Sequence, residues 1–232
     1  MIDPIPIFII SFNRLTVLKQ TIKSYHDYIK TPFEIIIWDT GTTFLKTVDY
    51  LKGLEQSGIK VYRENKQRYT LKHHLYAKLN PVIKDYFLKS KNKSPFYIVT
   101  DPDLDLTGIP DDFLSVLEEG LRRYPQFNKC GFSLEINDLP NQVTIDWESR
   151  YWQKPLDSMY FSADIDTTFA LYKVNRITLS GIRTNRPYTA KHVPWYYDLY
   201  DKLPEDELYY YHTQSADIRA HSNILDRKPG RW

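Results

Sequence analysis

Three aspartates spaced two residues apart, Asp101, Asp103 and Asp105, have the clearest potential for chemistry in this sequence. They follow the apolar run 96–99, which is typical of a buried strand because β-branched and aromatic residues fit a pleated surface covered on both faces. Pro102 has no backbone N–H and should end that strand. The carboxylates are therefore expected at the carboxyl end of a central strand, where open α/β sheets bind ligands.

Acids this close together repel one another unless a cation neutralises them. Mg²⁺ and Mn²⁺ take oxygen ligands and are commonly held by one or two carboxylates together with substrate phosphates. The spacing therefore predicts a divalent metal at this group of three aspartates that also binds phosphate groups. The alternative is a turn after the strand, in which the aspartates only cap the backbone and face solvent.

The elements that must position these acids alternate between strands and helices over the first hundred residues. Apolar runs at 5–10, 34–38 and 59–62 predict strands, and apolar residues at helical spacing predict helices between them and from about 71 to 88. Alternating units of this length imply a parallel sheet with right-handed crossovers. The predicted fold is a three-layer α/β/α sandwich around a mostly parallel sheet.

The second half of the chain has weaker periodicity. A helix is expected from Pro110, a strand at 130–136, another strand at 166–172 and a short helix that begins with acids at 205–207. A stretch rich in tryptophan and tyrosine at 146–152 has no clear period. The sequence therefore fixes the fold of the first half more firmly than that of the second.

Composition limits the classes of protein that fit. With 232 residues, of which 42% are hydrophobic, the chain can bury one core, so a single domain over 1–232 is predicted. The net charge of +2 contains no basic block, and we expect no nucleic-acid partner. One cysteine, Cys130, excludes an internal disulfide and a thiolate zinc site and fits the cytoplasm. We expect no signal peptide and no membrane segment, since no stretch approaches the roughly 18 apolar residues that a membrane helix needs.

Four segments, taken together, resemble the family 2 glycosyltransferases, which are nucleotide-sugar transferases of the GT-A fold. Residues 9–14 resemble the first strand of that family and the small-aromatic-Asn-Arg segment that follows it. Residues 35–41 resemble its second strand, which ends in Asp and Gly, and residues 65–69 resemble the loop that closes over the base. Asp101-Pro102-Asp103 stands where the family has its Asp-x-Asp (DxD) motif. The resemblance covers about residues 5–105.

The resemblance implies an enzyme that moves a sugar from a nucleoside-diphosphate sugar, first of all a UDP-sugar, to a hydroxyl of a saccharide or glycoconjugate. It implies Mn²⁺ or Mg²⁺ as the cofactor. Residues 1–105 would form the half that binds the donor, and residues 106–232 the half that binds the acceptor.

The resemblance also implies individual roles in the donor site. Phe12 would lie against the base, Asp39 would hydrogen-bond it, and Arg68 would close that pocket or meet the diphosphate. Asp101 would approach the ribose or the metal, and Asp103 would coordinate the metal. The nucleotide-binding residues implied are Ser11, Phe12, Asn13, Arg14, Asp39, Arg68 and Asp101, and the metal ligands are Asp103, Asp105 and His221, the last by similarity to a carboxy-terminal histidine of some GT-A enzymes.

Sugar transfer with inversion needs a carboxylate or an imidazole to take the proton of the acceptor hydroxyl. Asp166 is the first candidate, because it lies with Thr167 in a segment similar to one that some GT-A enzymes use near the acceptor. Asp206 follows, since the family usually has a Glu-Asp pair at the start of a helix. Asp198 and His192 lie in a loop that should face the acceptor. Retention of configuration stays open.

Two alternatives stay open beside the transferase. A sugar nucleotidyltransferase usually has a glycine-rich loop after the first strand to hold a triphosphate, and residues 11–14 contain no glycine. An inactive GT-A-like scaffold that binds carbohydrate would keep aromatic residues such as Trp147, Trp152 and Trp195 without needing the acids. A Rossmann dehydrogenase does not fit, because no Gly-x-Gly-x-x-Gly follows a predicted strand.

Overall fold

The computed structural model describes residues 3–65, 72–174, 180–197 and 203–213, and of 72–76 the backbone alone. Over the first hundred residues, strands and helices alternate as the apolar pattern predicts. They are β1 (Ile5–Ser11), α1 (Leu15–Tyr28), β2 (Phe33–Asp39), α2 (Leu45–Gln56), β3 (Lys60–Arg63), α3 (Lys72–Ser90) and β4 (Phe96–Thr100).

The second half departs further from the pattern. The strand expected at 130–136 is divided into two short strands, and the strand expected at 166–172 begins only at Ala170. The elements are β5 (Leu104–Asp105), α4 (Phe113–Arg123), β6 (Lys129–Gly131), β7 (Ser133–Leu134), α5 (Gln142–Glu148), β8 (Tyr160–Asp164), β9 (Ala170–Lys173), β10 (Ser180–Thr184), β11 (Thr189–His192) and α6 (Glu205–Thr213), with 3₁₀ turns at Ser149–Trp152 and Val193–Tyr196.

Within the described residues, eight strands form one sheet in the order β3-β2-β1-β4-β9-β6-β10-β8. The pairs β1–β2, β1–β4, β2–β3 and β6–β10 are parallel, whereas β9 runs antiparallel to both of its neighbours and β8 to β10. A smaller sheet, β5-β11-β7, lies beside it. The predicted fold class, an α/β sandwich around a large central sheet, is confirmed.

Two apolar clusters cover the two faces of the large sheet. Leu18, Leu51 and Leu117, from α1, α2 and α4, pack in one cluster, and Ile83 and Tyr86 of α3 pack in the other. The strands between them are apolar on both faces, because a central parallel strand is covered on each side. None of the described helices combines the length and the apolar character that crossing a membrane requires.

Candidate functional site

The segment that carries the three aspartates is held in place from three directions. The backbone N–H of Asp101 donates to the carbonyl of Thr167 at 2.7 Å, and that of Val193 donates to the carbonyl of Asp103 at 2.9 Å. The hydroxyl of Thr21, on α1, contacts the carbonyls of the residues on either side of Asp103 at 2.8 and 3.1 Å. This loop is therefore rigidly positioned at the carboxyl end of β4.

A buried cluster of charges surrounds Asp103, which is 2% exposed. Its Oδ2 accepts a hydrogen bond from Nη1 of Arg14 and lies 3.3 Å from Nε2 of His192. Arg14 also donates from Nε and Nη2 to both carboxylate oxygens of Glu207, at 2.9 and 2.8 Å, and lies over the ring of Tyr210 at 4.7 Å. One guanidinium thus joins β1, the aspartate motif and α6.

These contacts decide which of the buried groups are charged. Burial alone would raise the pKa of the Asp103 carboxyl, but the charges and hydrogen bonds of His192 and Arg14 outweigh it and hold that pKa below its usual range. Burial would lower the pKa of Arg14, yet Glu207 and Asp103 raise it well above its ordinary value. Asp103 and Arg14 are therefore both ionised at neutral pH.

Asp101 lies on the other side of the same loop and is half-buried. Its Oδ2 accepts a hydrogen bond from Thr167 Oγ1 at 2.5 Å. Burial, followed by the like charges of Asp103 and Asp166, raises the pKa of Asp101 well above its usual range. The three carboxylates are therefore close enough to repel one another, so positive charge placed here would be stabilised.

The ends of β1 and β2 carry two of the expected nucleotide-binding residues side by side. Ser11 and Asp39 are paired in register, and both are buried. Within the described residues, the Ser11 hydroxyl has no hydrogen-bond partner, and Asp39 Oδ1 accepts from the N–H of Thr42 at 3.0 Å. Phe12 is half-buried, with its ring 6.2 Å from that of Tyr210. These groups lie at the sheet edge where the donor is expected.

A cavity of about 210 Å³ opens next to Asp101, on the side of the second half of the chain. Such a volume lies below the roughly 300–1,000 Å³ that is usual for drug-sized ligands, so it suits one small ring. Its walls are acidic and aromatic. They are formed by Asp101, Leu134, Trp147, Glu148, Tyr151, Asp164, Ile165, Asp166, Thr168, Arg183, His192 and Trp195.

A buried ion pair fixes part of the cavity wall. Arg183 Nη1 donates to Glu148 Oε1 at 2.6 Å, and its Nε donates to the carbonyl of Asp164 at 2.9 Å. The guanidinium also lies 4.1 Å from the ring centre of Tyr151. Three elements, α5, β8 and β10, are thereby tied together around the cavity.

Two of the three tryptophans expected at the acceptor line this cavity. Trp147 and Trp195 meet edge to face with their ring centres 6.1 Å apart, and Trp195 packs 4.6 Å from the ring of His192. Trp152 lies elsewhere, against Phe161 at 5.3 Å. The wall of the cavity therefore combines indole rings with carboxylates.

Asn13, expected to bind nucleotide, is engaged in a backbone cap. Its side-chain oxygen accepts from the N–H groups of Thr43 and Phe44 at 2.7 and 2.9 Å at the start of α2. Its own φ of 61° is tolerated because asparagine adopts the left-handed region more readily than most residues. The structure thus gives Asn13 a role in joining β1 to α2.

Asp206, a candidate base, lies away from the cavity at the start of α1. Its two carboxylate oxygens accept from the backbone N–H and the hydroxyl of Thr16, at 2.7 and 2.6 Å. A carboxylate there satisfies a free N–H of the first turn and faces the positive end of the helix dipole. The neighbouring Glu207 accepts hydrogen bonds from Arg14. Asp206 and Glu207 thus stabilise the connection between β1 and α1.

Asp105, expected as a metal ligand, is engaged in a turn. Its Oδ1 accepts from the N–H and the hydroxyl of Thr107 at 2.9 and 2.6 Å and lies 3.4 Å from Ser24 Oγ. The turn alternative predicted from the sequence describes this position. Arg68, Asp198 and His221 lie outside the described residues.

Sequence reasoning did not single out Glu207, Glu148, Arg183 or Asp164 as members of the site. Glu207 is 193 residues from Arg14, and Glu148 is 35 residues from Arg183, and no local pattern marks either pair. The group of acids at 205–207 is the local sequence signal that includes Glu207.

No protein-family model matches the sequence, and comparison with curated proteins gives no match. Solved glycosyltransferases are similar in structure. A mannosyltransferase from Pyrobaculum calidifontis, in complex with GDP-Man and Mn²⁺, has 12% identity and a TM-score of 0.46 over 75% of this chain. TarS 1–349 from S. aureus, with UDP-GlcNAc, has 11% identity and a TM-score of 0.45 over 73%. Glucosyl-3-phosphoglycerate synthase from Mycobacterium tuberculosis, with phosphoglyceric acid, has 13% identity and a TM-score of 0.43 over 74% of this chain.

The chain spans 45% of the length of the first two of these proteins and 57% of the third.

Proposed function

We propose that this protein transfers a sugar from a nucleoside-diphosphate sugar to a hydroxyl of a saccharide or glycoconjugate acceptor. One observation carries the proposal. The loop after β4 places ionised, buried Asp103 and half-buried Asp101 between the ends of β1 and β2 and a cavity of about 210 Å³. Two substrates can meet at such a boundary, one along the sheet edge and one in the cavity.

The residues present fit a divalent cation held by one protein carboxylate and the donor. Among the described residues, Oδ1 of Asp103 is buried and has no hydrogen-bond partner, while its other oxygen contacts Arg14 and His192. No three histidine, cysteine or acidic side chains of the described residues form a complete metal site. Mg²⁺ and Mn²⁺ commonly combine one or two carboxylates with substrate phosphates. Such an ion would neutralise charge that develops on the leaving diphosphate.

The donor nucleotide would lie along the ends of β1 and β2. The free hydroxyl of Ser11 and the carboxylate of Asp39 can hydrogen-bond a base or ribose, and the half-buried ring of Phe12 offers an apolar surface. The fixed guanidinium of Arg14 stabilises Asp103 in its ionised form. UDP is the first nucleotide to test, followed by GDP and dTDP.

Asp166 is proposed as the base. The acceptor oxygen bonds to the anomeric carbon, its proton passes to the Asp166 carboxylate, and the bond from that carbon to the diphosphate breaks. Asp166 lines the cavity beside Asp101. His192 is less suited, because its Nε2 contacts Asp103 and its Nδ1 is buried. Asp206 is engaged by Thr16. The cytoplasmic location stays a prediction that rests on the single cysteine.

Product analysis tests the proposal against its two alternatives. The protein is incubated with Mn²⁺ and UDP-, GDP- or dTDP-sugars, including UDP-GlcNAc and GDP-mannose, together with a mixture of simple glycosides. We expect release of a nucleoside diphosphate and a glycoside heavier by one sugar residue. Pyrophosphate formed from a nucleoside triphosphate and a sugar 1-phosphate would instead identify a nucleotidyltransferase. Neither product would leave the binding scaffold.

A further inference from the structure

The cavity beside Asp101 has an unequal balance of charge. Four carboxylates line it, those of Asp101, Glu148, Asp164 and Asp166, against the single guanidinium of Arg183. The cavity therefore has a negative potential.

Arg183 and Glu148 form an ion pair whose charges cancel, so the potential comes from the other carboxylates of the wall, those of Asp101, Asp164 and Asp166. The two side chains of the ion pair are 4% and 1% exposed, and their atoms lie 2.6 Å apart. The remaining hydrogen bond described for Arg183 goes to the backbone of Asp164, and its flat face is covered by Tyr151. An anionic ligand would thus find the guanidinium occupied, and the imidazole of His192, the other basic group of the wall, already contacts Asp103.

The remaining groups of the wall suit a ring that carries hydrogen-bond donors. Ionised carboxylates only accept hydrogen bonds, so they bind hydroxyl or ammonium groups and repel other anions. Trp147, which is half-buried, and Trp195 add indole surface, on which the apolar face of a sugar ring can lie. His192 borders both the cavity and Asp103, so a ring held here lies next to the predicted donor site.

We propose that this cavity selects a sugar acceptor that is neutral or carries an amino group, and that it rejects acceptors with a carboxylate or phosphate on the accepting ring. This inference rests on the proposed function, of which it specifies the acceptor. The exposed carboxylate of Asp164 at the end of β8 sets the selection together with Asp166.

The test measures binding of three matched rings, the methyl glycosides of glucose, glucosamine and glucuronic acid, by tryptophan fluorescence. Each is titrated into the whole protein in the presence of Mn²⁺ and a mixture of UDP, GDP and dTDP. We expect the uronate to bind at least about tenfold more weakly than the other two, because like charges placed together cost binding energy. In Asp164→Lys this ratio should fall by about tenfold.

Glu118→Lys is the matched control. It makes the same change of charge on an exposed residue of α4, outside the cavity, and should leave the ratio unchanged. Equal binding of the three rings, no binding of any of them, or the same change of ratio in both variants would overturn the inference. A change in the affinity for UDP-GlcNAc or GDP-mannose without a change in the ratio would do so as well, since it would assign the cavity to the sugar of the donor.

Calorimetric titration of the nucleotide mixture alone separates this inference from the proposed function. Nucleotide binding without selection among the rings would reject only the inference. Selection among the rings without nucleotide binding would reject the transferase and leave a carbohydrate-binding protein.

Discussion

Replacing Arg14 with methionine should lower the free energy of unfolding by about 3–5 kcal/mol, because it leaves buried carboxylates without their cation. Arg14 is 4% exposed and pairs with Asp103 and with both oxygens of Glu207. Methionine keeps much of the volume of the side chain and removes the charge. Urea unfolding of the variant and the wild type, followed by circular dichroism, measures the difference.

Lys46→Met is the matched control. Lys46, on α2, pairs with Glu205, which lies on α6 as Glu207 does. Both side chains of this pair are about two-thirds exposed, at 65% and 67%. Exposed pairs contribute about 0–1 kcal/mol, so this loss should be small. Adding Glu207→Gln to Arg14→Met should recover part of the stability, since it removes the charge of a buried carboxylate that has lost its cation. A loss below about 1 kcal/mol in Arg14→Met would contradict the buried network.

Asp166→Asn should lower kcat by about 10²–10⁴-fold while it leaves the protein as stable as the wild type. The amide keeps the shape of the side chain at the cavity wall and cannot accept the proton of the acceptor. Steady-state kinetics, with the sugar donor and acceptor found by product analysis, and thermal unfolding measure the two quantities separately.

Asp206→Asn is the comparison, because both aspartates were candidates for the base. Its carboxylate caps α1 through Thr16, so the variant should lose about 0.5–2 kcal/mol of stability and retain most of its kcat. The reverse result, with kcat lost in Asp206→Asn and kept in Asp166→Asn, would transfer the role to α6. A kcat kept in both variants would favour His192, and His192→Gln would then be measured.

The sequence was informative where local pattern decides structure. The apolar runs that became β1, β2 and β4 are covered on both faces, and a strand of that kind is continuous in hydrophobicity. In the second half, β6 and β7 are 3 and 2 residues long, and the chain passes from one sheet to the other between them. Strands so short have too few residues to show a period.

The aspartate motif shows, for single residues, the same contrast between what local sequence predicts and what distant contacts determine. The sequence placed Asp101 and Asp103 at the end of a strand, where the structure has them. It could not decide which of the three aspartates is buried beside a cation. The residues that contact Asp103 are distant in sequence, since Arg14 lies 89 positions before it and His192 lies 89 positions after it. Asp105 is fixed by a neighbour two residues on, Thr107, and that kind of turn can be inferred from sequence.

The most direct test of the central claim is calorimetric titration of UDP, GDP and dTDP, with and without Mn²⁺. It is made on the wild type, on Asp103→Asn and on Asp105→Asn. The wild type should bind one of the nucleotides more tightly with Mn²⁺. Asp103→Asn should lose that gain, and Asp105→Asn, which changes only a turn residue, should keep it. Equal dependence on Mn²⁺ in Asp103→Asn and the wild type, or no binding of any nucleotide, would contradict a donor site at Asp103.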